Sequence, residues 1–426
     1  MKEEKIPENW VHCHFDDIIE IISGKNQKEV ENPNGPFPIY GSGGSIGRAR
    51  DFLCNAGTTI IGRKGTINSP IYVQEKFWNV DTAFGLSPIH VNSKLLYFFC
   101  LSFNFKDLDK STTIPSLAKT DLLQIKIPLP PLAEQHRIVA KIEELFSALD
   151  KGIESLKTAQ QQLKVYRQAV LKYAFEGKLT NPEVREGELP KGWEVKALSQ
   201  VGIWRGGGTP SKSNPSFWLN GTIDWVTAKD MKSDIILSTL DRITPESLKF
   251  SSAKLIPANS VLIVVRSGIL RRTLPVALVA HQIAINQDMQ ALTPHSVDSK
   301  YLFHCLKAFA ETIRKECSKD GTTVESIDTT NLKRFLIPIA PSLEQVEIVQ
   351  EIESRLSVCD KIEESIAQSL QQAEALRQSI LRKAFEGRLV PQDPNDEPAS
   401  VLLERIRAAR AAAQPVQKNR IKKAKA

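Results

Sequence analysis

The chain carries one segment twice, and this repetition constrains its fold more than any other feature. Residues 127–179 (IPLPPLAEQHRIVAKIEELFSALDKGIESLKTAQQQLKVYRQAVLKYAFEGKL) align without a gap on residues 337–389 (IPIAPSLEQVEIVQEIESRLSVCDKIEESIAQSLQQAEALRQSILRKAFEGRL). Glu134 falls on Glu344, an offset of 210, and roughly 24 of about 53 positions are identical. The match continues upstream: Thr112, Ser116 and Leu122 answer Thr322, Ser326 and Leu332. The openings echo too, Pro7, Trp10 and Val11 against Pro190, Trp193 and Val195. Between them lie two segments, about 11–111 and 194–321, that share little. A period of half the chain is a duplication, and the order is variable head, helix, variable head, helix.

The repeated segments have helical spacing. After the Pro130-Pro131 breaker, Ile142, Leu149, Leu156, Leu163 and Val170 fall seven apart. The stripe spans about 40 residues, or about 60 Å of helix, and Gly177 is a natural stop. The second stripe, Ile352, Cys359, Ile366, Ala373 and Ile380, is the weaker on paper, because Arg355, Ser369 and Lys383 interrupt its flank. A long helix in water needs a partner for its apolar face, so the two stripes are expected to pack on each other as an antiparallel coiled coil.

The heads read as mixed α/β. Short β-branched runs, 58–61 and 261–265, sit between Gly, Pro and Asn turns, and apolar helical stretches follow at 95–103 and 301–313. The expected fold class is α+β: two mixed α/β heads related by duplication, joined by two long helices. The boundaries are 1–126 for the first head, 127–180 for the first helix, 181–336 for the second head and 337–390 for the second helix. Residues 391–426 supply a Pro/Asp linker, a short helix at 400–413 and a basic tail.

Composition narrows the class. Hydrophobic residues make up 41% of the chain, enough for sizeable cores. Apolar runs are too short to cross a bilayer, and the charged N-terminus resembles no secretory signal, so a cytoplasmic protein without a membrane partner is expected. Six scattered cysteines, with no C-x-x-C pair, read as buried free thiols and no metal site. The stretch 41–47 (GSGGSIG) fails the dinucleotide-loop register because Ile46 stands at the third glycine, and 62–66 (GRKGT) has the wrong spacing for a phosphate loop. No H-E-x-x-H or G-x-S-x-G pattern occurs. No catalytic residue, metal or cofactor is therefore assigned to this chain.

The head loops instead hold donors suited to nucleic acid. In the first head these are Lys25, Asn26, Lys28, Ser42, Arg48, Arg63, Lys64 and Thr112; in the second, Arg205, Thr209, Ser211, Lys212, Arg266, Arg271, Arg272 and Thr322. Arg and Lys suit guanine edges, Asn and Gln adenine, and hydroxyls phosphate; the net charge of +7 permits a polyanionic partner.

Taken together, the duplication, the runs 128–135 (PLPPLAEQ) and 338–345 (PIAPSLEQ), the two AFEG[KR]L ends at 174–179 and 384–389, and 207–211 (GGTPS) resemble the specificity subunits of type I restriction–modification systems. The resemblance implies two target-recognition domains that each read half of a bipartite, asymmetric site in double-stranded DNA. It also implies a helical spacer that docks two methyltransferase subunits, with two restriction subunits completing the complex. S-adenosylmethionine, ATP and Mg²⁺ would belong to those partners. The alternatives left by the residues themselves are a stand-alone methyltransferase or nuclease, and a non-catalytic coiled-coil scaffold with two protein-binding heads.

Overall fold

The computed structural model of the chain describes residues 6–319 and 324–413. The chain divides into two compact units, Met1–Leu156 with Gln368–Ala426 and Lys157–Ala367. Each unit holds one head and takes a portion of both long helices.

In the first unit β1 (Val11–His14) pairs antiparallel with β9 (Lys126–Leu129), Val11 opposite Leu129. The main sheet runs β2-β8-β5-β6, from β2 (Ile19–Ser23), β5 (Thr58–Gly62), β6 (Ile71–Val73) and β8 (Ala83–Pro88). A smaller sheet runs β4-β3-β7, with β3 (Phe37–Gly41), β4 (Gly44–Ala49) and β7 (Trp78–Asn79), and β7 is parallel to β3. Three helices, α1 (Phe15–Ile18), α2 (Ser93–Ser102) and α3 (Lys119–Leu123), cover the core. Asn92 caps α2 by accepting the Lys94 and Leu95 N–H groups. Into this core come Ile138, Val139 and Ile142 from the start of α4 (Leu132–Phe175), and Ile380, Leu381, Ala384 and Phe385 from the end of α9 (Ser342–Phe385).

The second unit repeats the plan. Here β10 (Glu194–Ala197) pairs with β20 (Leu336–Ile339), Glu194 opposite Ile339. The main sheet is β11-β19-β16-β17-β13, from β11 (Gly202–Gly206), β13 (Ile235–Ile236), β16 (Val261–Val264), β17 (Val276–Val279) and β19 (Met289–Pro294). The smaller one is β14-β12-β18-β15, from β12 (Ile223–Val226), β14 (Asp241–Ile243), β15 (Leu255–Ile256) and β18 (Ile283–Ile285). Again one small-sheet pair, β12 with β18, is parallel. The helices are α5 (Pro245–Phe250), α6 (Ser299–Ala308), α7 (Ala310–Glu316) and α8 (Thr329–Arg334). The core receives Ile348, Val349 and Ile352 from the start of α9 and Val170, Leu171, Ala174 and Phe175 from the end of α4. These are the same seven repeat positions, with the helices exchanging roles.

The repeated motifs are the joints of this plan. The Trp10 indole donates to Glu134 at 2.9 Å and the Trp193 indole to Glu344 at 3.0 Å. Gln135 accepts the Asn92 N–H at 2.9 Å and donates to the Pro130 carbonyl, as Gln345 does with Asp298 and Ala340. Gly387 and Gly177 both sit at positive φ, +71° and +75°. A Cβ there would stand 2.3 Å from Pro7 and 2.2 Å from Pro190 respectively, so the helix ends close on the Pro–Trp openings only with glycine.

Antiparallel helix pairing occurs inside each unit. In the first, Arg377 bonds Asp150 and its guanidinium lies 4.4 Å above the Phe146 ring. In the second, Arg167 bonds Asp360 at 2.6 Å and Glu363 at 3.1 Å. Arg167 and Asp150 are the repeat equivalents of Arg377 and Asp360, so both units use one register. The seam expected from the sequence is there, and both stripes are largely covered. Ile352, Cys359, Ile366, Ala373 and Ile380 are all buried, whereas in the first stripe Ile142 and Val170 are buried and Leu149, Leu156 and Leu163 only half-buried. A two-helix seam encloses short side chains such as Cys and Ala and leaves the edges of Leu wet. Arg355 does not break the seam, since it turns aside to Glu351 at 2.6 Å.

One element is unpaired by the duplication. Helix α10 (Ala399–Ala413) lays Ala399, Leu402, Leu403 and Ile406 into the first core, and Arg407 reaches Asp17 at 2.9 Å. It adjoins β1, where Val11 and Cys13 face inward; the strand register sets Val11 against Glu194 rather than the Val195 suggested by the sequence echo, and Cys13 against Lys196, and these two charged residues pair with each other at 2.7 Å. All six cysteines are free and buried, as expected, and burial pushes the Cys13 and Cys54 thiols up to about 12.

Candidate nucleic-acid interface

At one end of each main sheet, loops from distant parts of the sequence converge. In the first unit the end is set by the close of β2, the close of β5 and the start of β8, which are level across the antiparallel ladders. The Arg63 and Lys64 N–H groups both donate to the Thr82 carbonyl at 2.8 and 3.2 Å, Gly65 N–H donates to Pro115, and Leu117 N–H to Arg63. In the second unit Val265 and Arg266 donate to Asp288 at 2.9 and 3.2 Å, Ser267 to Glu325, and Ile327 to Val265. The bridges Lys64–Ser116 and Arg266–Ser326 complete the correspondence. The variable heads therefore share a backbone frame that their side chains conceal, with Lys64 standing where the second head has Arg266.

Most predicted residues of the first head meet at this end. Lys25 is held there by its N–H to Asn79 and by the Trp78 indole on its carbonyl at 3.0 Å. Asn26 accepts the Lys28 N–H at 2.9 Å, and both side chains are exposed. Ser42, in the β3–β4 turn, lies beside Gly65, and exposed Thr112 belongs to the loop that Gly65 contacts through Pro115. Arg63 and Lys64 are exposed, with the Arg63 guanidinium 5.7 Å above the Phe84 ring. Arg48 departs from the expectation. It sits at the other end of the β3–β4 hairpin, and its guanidinium binds the Gly35 and Pro36 carbonyls at 2.6 and 2.7 Å, which closes its own loop.

In the second head Thr209, Ser211, Lys212 and Arg266 lie in loops at the corresponding end. Thr209 bonds Gln287, Ser211 bonds Ser213 at 2.8 Å, Lys212 is exposed, and the Arg266 side chain is 63% exposed, 3.9 Å from Asp288. Two arginines are engaged elsewhere. Arg205 is half-buried on β11 and donates to Thr293 at 3.1 Å, away from the loop end. Arg271 pairs with Glu325 at 2.6 Å and holds that carboxyl below its ordinary range. Arg272 is exposed beyond Arg271, while Thr322 and the basic tail lie outside the described residues.

The sequence reading missed the centre of the second surface. Arg266 borders a polar depression of about 640 Å³ that Gln287, Gln290, Lys319, Ser326 and Thr330 also line. Gln287 and Gln290 flank the start of β19, 21 and 24 residues from Arg266, and the pairing of β19 with β16 brings that strand start beside it. Among the described residues no cluster of His, Cys, Asp and Glu could hold a metal ion, and no helix is long and apolar enough to cross a membrane.

The family profile described as "Type I restriction modification DNA specificity domain" matches residues 7–164 and 190–372. The specificity subunit of the type I restriction enzyme EcoR124I/EcoR124II of Escherichia coli is 38% identical over 257 residues, 58% of this chain and 60% of that protein, so the match spans less than two thirds of its length. The Escherichia coli EcoDI specificity subunit is 24% identical over 97% of this chain and 98% of its own. Two solved structures share the fold. One, from work on complex assembly and conformational transition of the type I R-M system, has a TM-score of 0.72 at 20% identity, covering 90% of this chain and all of its own. The HsdS subunit from Thermoanaerobacter tengcongensis gives 0.58 at 21% identity, over 91% and 99%.

Proposed function

The chain belongs to the type I restriction–modification DNA specificity family, and from that premise we propose that it directs methyltransferase and restriction subunits to a bipartite, asymmetric DNA site without catalysing a step itself. The observation that carries this reading is the pair of matched loop ends. One backbone frame is built twice and dressed with different side chains: Lys64 and Thr82 in the first head, Arg266 and Asp288 in the second. Two copies of a frame with unlike side chains suit two unlike half-sequences, because phosphate contacts position a protein while side chains at base edges discriminate.

In this reading the two helices space the heads and offer docking surface to two methyltransferase subunits, with two restriction subunits completing the complex. S-adenosylmethionine, ATP and Mg²⁺ serve those partners. An adenine must leave the stack to be methylated, so this chain's task is to hold the duplex in register. A gel shift of one duplex by the complex of this chain with its methyltransferase subunit, persisting against excess random-sequence DNA, is the expected result. Equal displacement by random DNA would overturn the reading.

A further inference from the structure

The two frames differ at one strand position in a way that assigns a base-reading residue to the second head alone. Across β5 and β8, Ile61 faces Phe84; across β16 and β19, Ile263 faces Gln290. Phe84 is 3% exposed and part of the first core. Gln290 is half-buried and lines the polar depression beside Arg266. Opposite it on β11 stands Gly206, where a Cβ would come within 3.2 Å of the Gln290 amide nitrogen, so glycine leaves the amide room to turn. The neighbouring Gln287 is engaged by Thr209, whereas the Gln290 amide has no hydrogen-bond partner among the described residues. An amide that lines an open polar depression and spends neither its donor nor its acceptor on the protein is free to bond a ligand there.

Resting on the DNA-reading function above, we propose that Gln290 is a specificity determinant of the second head, reading an adenine through its major-groove edge. The amide offers an acceptor and a donor side by side, matching the adenine N6 amino group and N7. Arg266 flanks it as a cation for the adjoining guanine or phosphate. The first head, with a core phenylalanine at this position, has no such reader and depends on its loops.

The test uses the full chain in complex with the methyltransferase subunit of its own system, and sequences the sites methylated in a randomised duplex library. The wild-type complex selects two half-sequences. Gln290→Ala keeps the first and loses an adenine preference at one position of the second, by about 5- to 150-fold, the equivalent of about 1–3 kcal/mol. Gln290→Glu, nearly isosteric, shifts that position toward cytosine, whose N4 amino group donates to a carboxylate. If Gln290→Ala melts early, Gln290→Glu decides. A wild-type complex that selects no sequence would overturn the DNA-reading function itself. A wild-type complex that selects normally, with an unchanged second half-sequence in either folded variant, or loss of both half-sequences at wild-type stability, would overturn the assignment of Gln290 alone.

Discussion

The two units are one design carried out on unlike sequences, and their differences are more informative than their likeness. Where the repeat is conserved, each joint recurs with its partners: Trp10 on Glu134 and Trp193 on Glu344, Gly387 against Pro7 and Gly177 against Pro190. Where the sequences diverge, backbone hydrogen bonds preserve the frame. The difference separates the positions that build the frame from those left free to vary. A residue duplicated in kind, such as Gln135 or Gln345, holds the head to its helix. A residue that changes class at one place in the frame, such as Phe84 against Gln290, has been released from building in one copy.

The largest expected effect would break the likeness at β1. Only the first unit leans on α10, so ending the chain after Pro391 should destabilise that unit and spare the second. Single substitutions scale it: Ile406→Ala, fully buried, is expected to cost about 2–5 kcal/mol. The readout is thiol labelling. Cys13 should become reactive while Cys305 and Cys317 of the second unit stay protected; equal exposure of all three would mean that α10 supports the whole chain. Next comes the strand position itself. Phe84→Ala should cost about 3–5 kcal/mol of stability, and Gln290→Ala less than about 0.5 kcal/mol, both measured by chemical denaturation. Comparable losses would remove the distinction between builder and reader.

A third effect sharpens the comparison on DNA. Lys64→Ala should weaken reading of the first half-site and Arg266→Ala that of the second, each by about 1–3 kcal/mol for a base contact, seen in binding to duplexes altered in one half at a time. Uniform weakening across both halves would make these general phosphate contacts. A fourth concerns the helix pairing. Arg377→Ala and Arg167→Ala should each cost about 0.5–1 kcal/mol, because the acids they meet are largely exposed. Added salt should erase the Arg167 loss but only part of the Arg377 loss, since only Arg377 also stacks on an aromatic ring.

The duplication and the α+β class were legible in the sequence because helical periodicity and repetition are local signals; the helices themselves, expected over 127–180 and 337–390, run 132–175 and 342–385, because the strands β9 and β20 take the first residues of each repeated segment. The motif residues Glu134, Gln135, Trp10 and Gly387 were visible as a pattern, yet their purpose was not, since their partners lie up to 380 residues away. Loop donors were read by residue type alone. Arg63, Lys64 and Arg266 are exposed at the loop ends, but residue type could not foresee that Arg48, Arg205 and Arg271 would be engaged by carbonyls, a hydroxyl and a carboxylate. Gln290 escaped notice because it stands in a strand rather than a glycine-rich loop.

The smallest expected effect separates two carboxylates within the first unit. Burial raises Glu134 above its ordinary value, against hydrogen bonds from Trp10 and Gln392 that lower it. The folded unit thus keeps this proton to higher pH than the unfolded chain does. Its contribution is fully present below the ordinary value of 4.5 and is lost as pH rises through the raised one. Asp17 runs the other way. Burial opposes its ionisation, but the hydrogen bonds from Arg407 and the His14 N–H prevail and hold it below 3.8, so its contribution is lost as pH falls. Glu134→Gln removes one titration and Asp17→Asn the other. Relative to wild type, urea midpoints of Glu134→Gln should improve as pH rises from about 4.5, and those of Asp17→Asn should improve as pH falls below about 4. Parallel curves for the two variants would mean that Glu134 binds Trp10 as an ordinary ionised carboxylate, and that its burial exerts no strain on the joint.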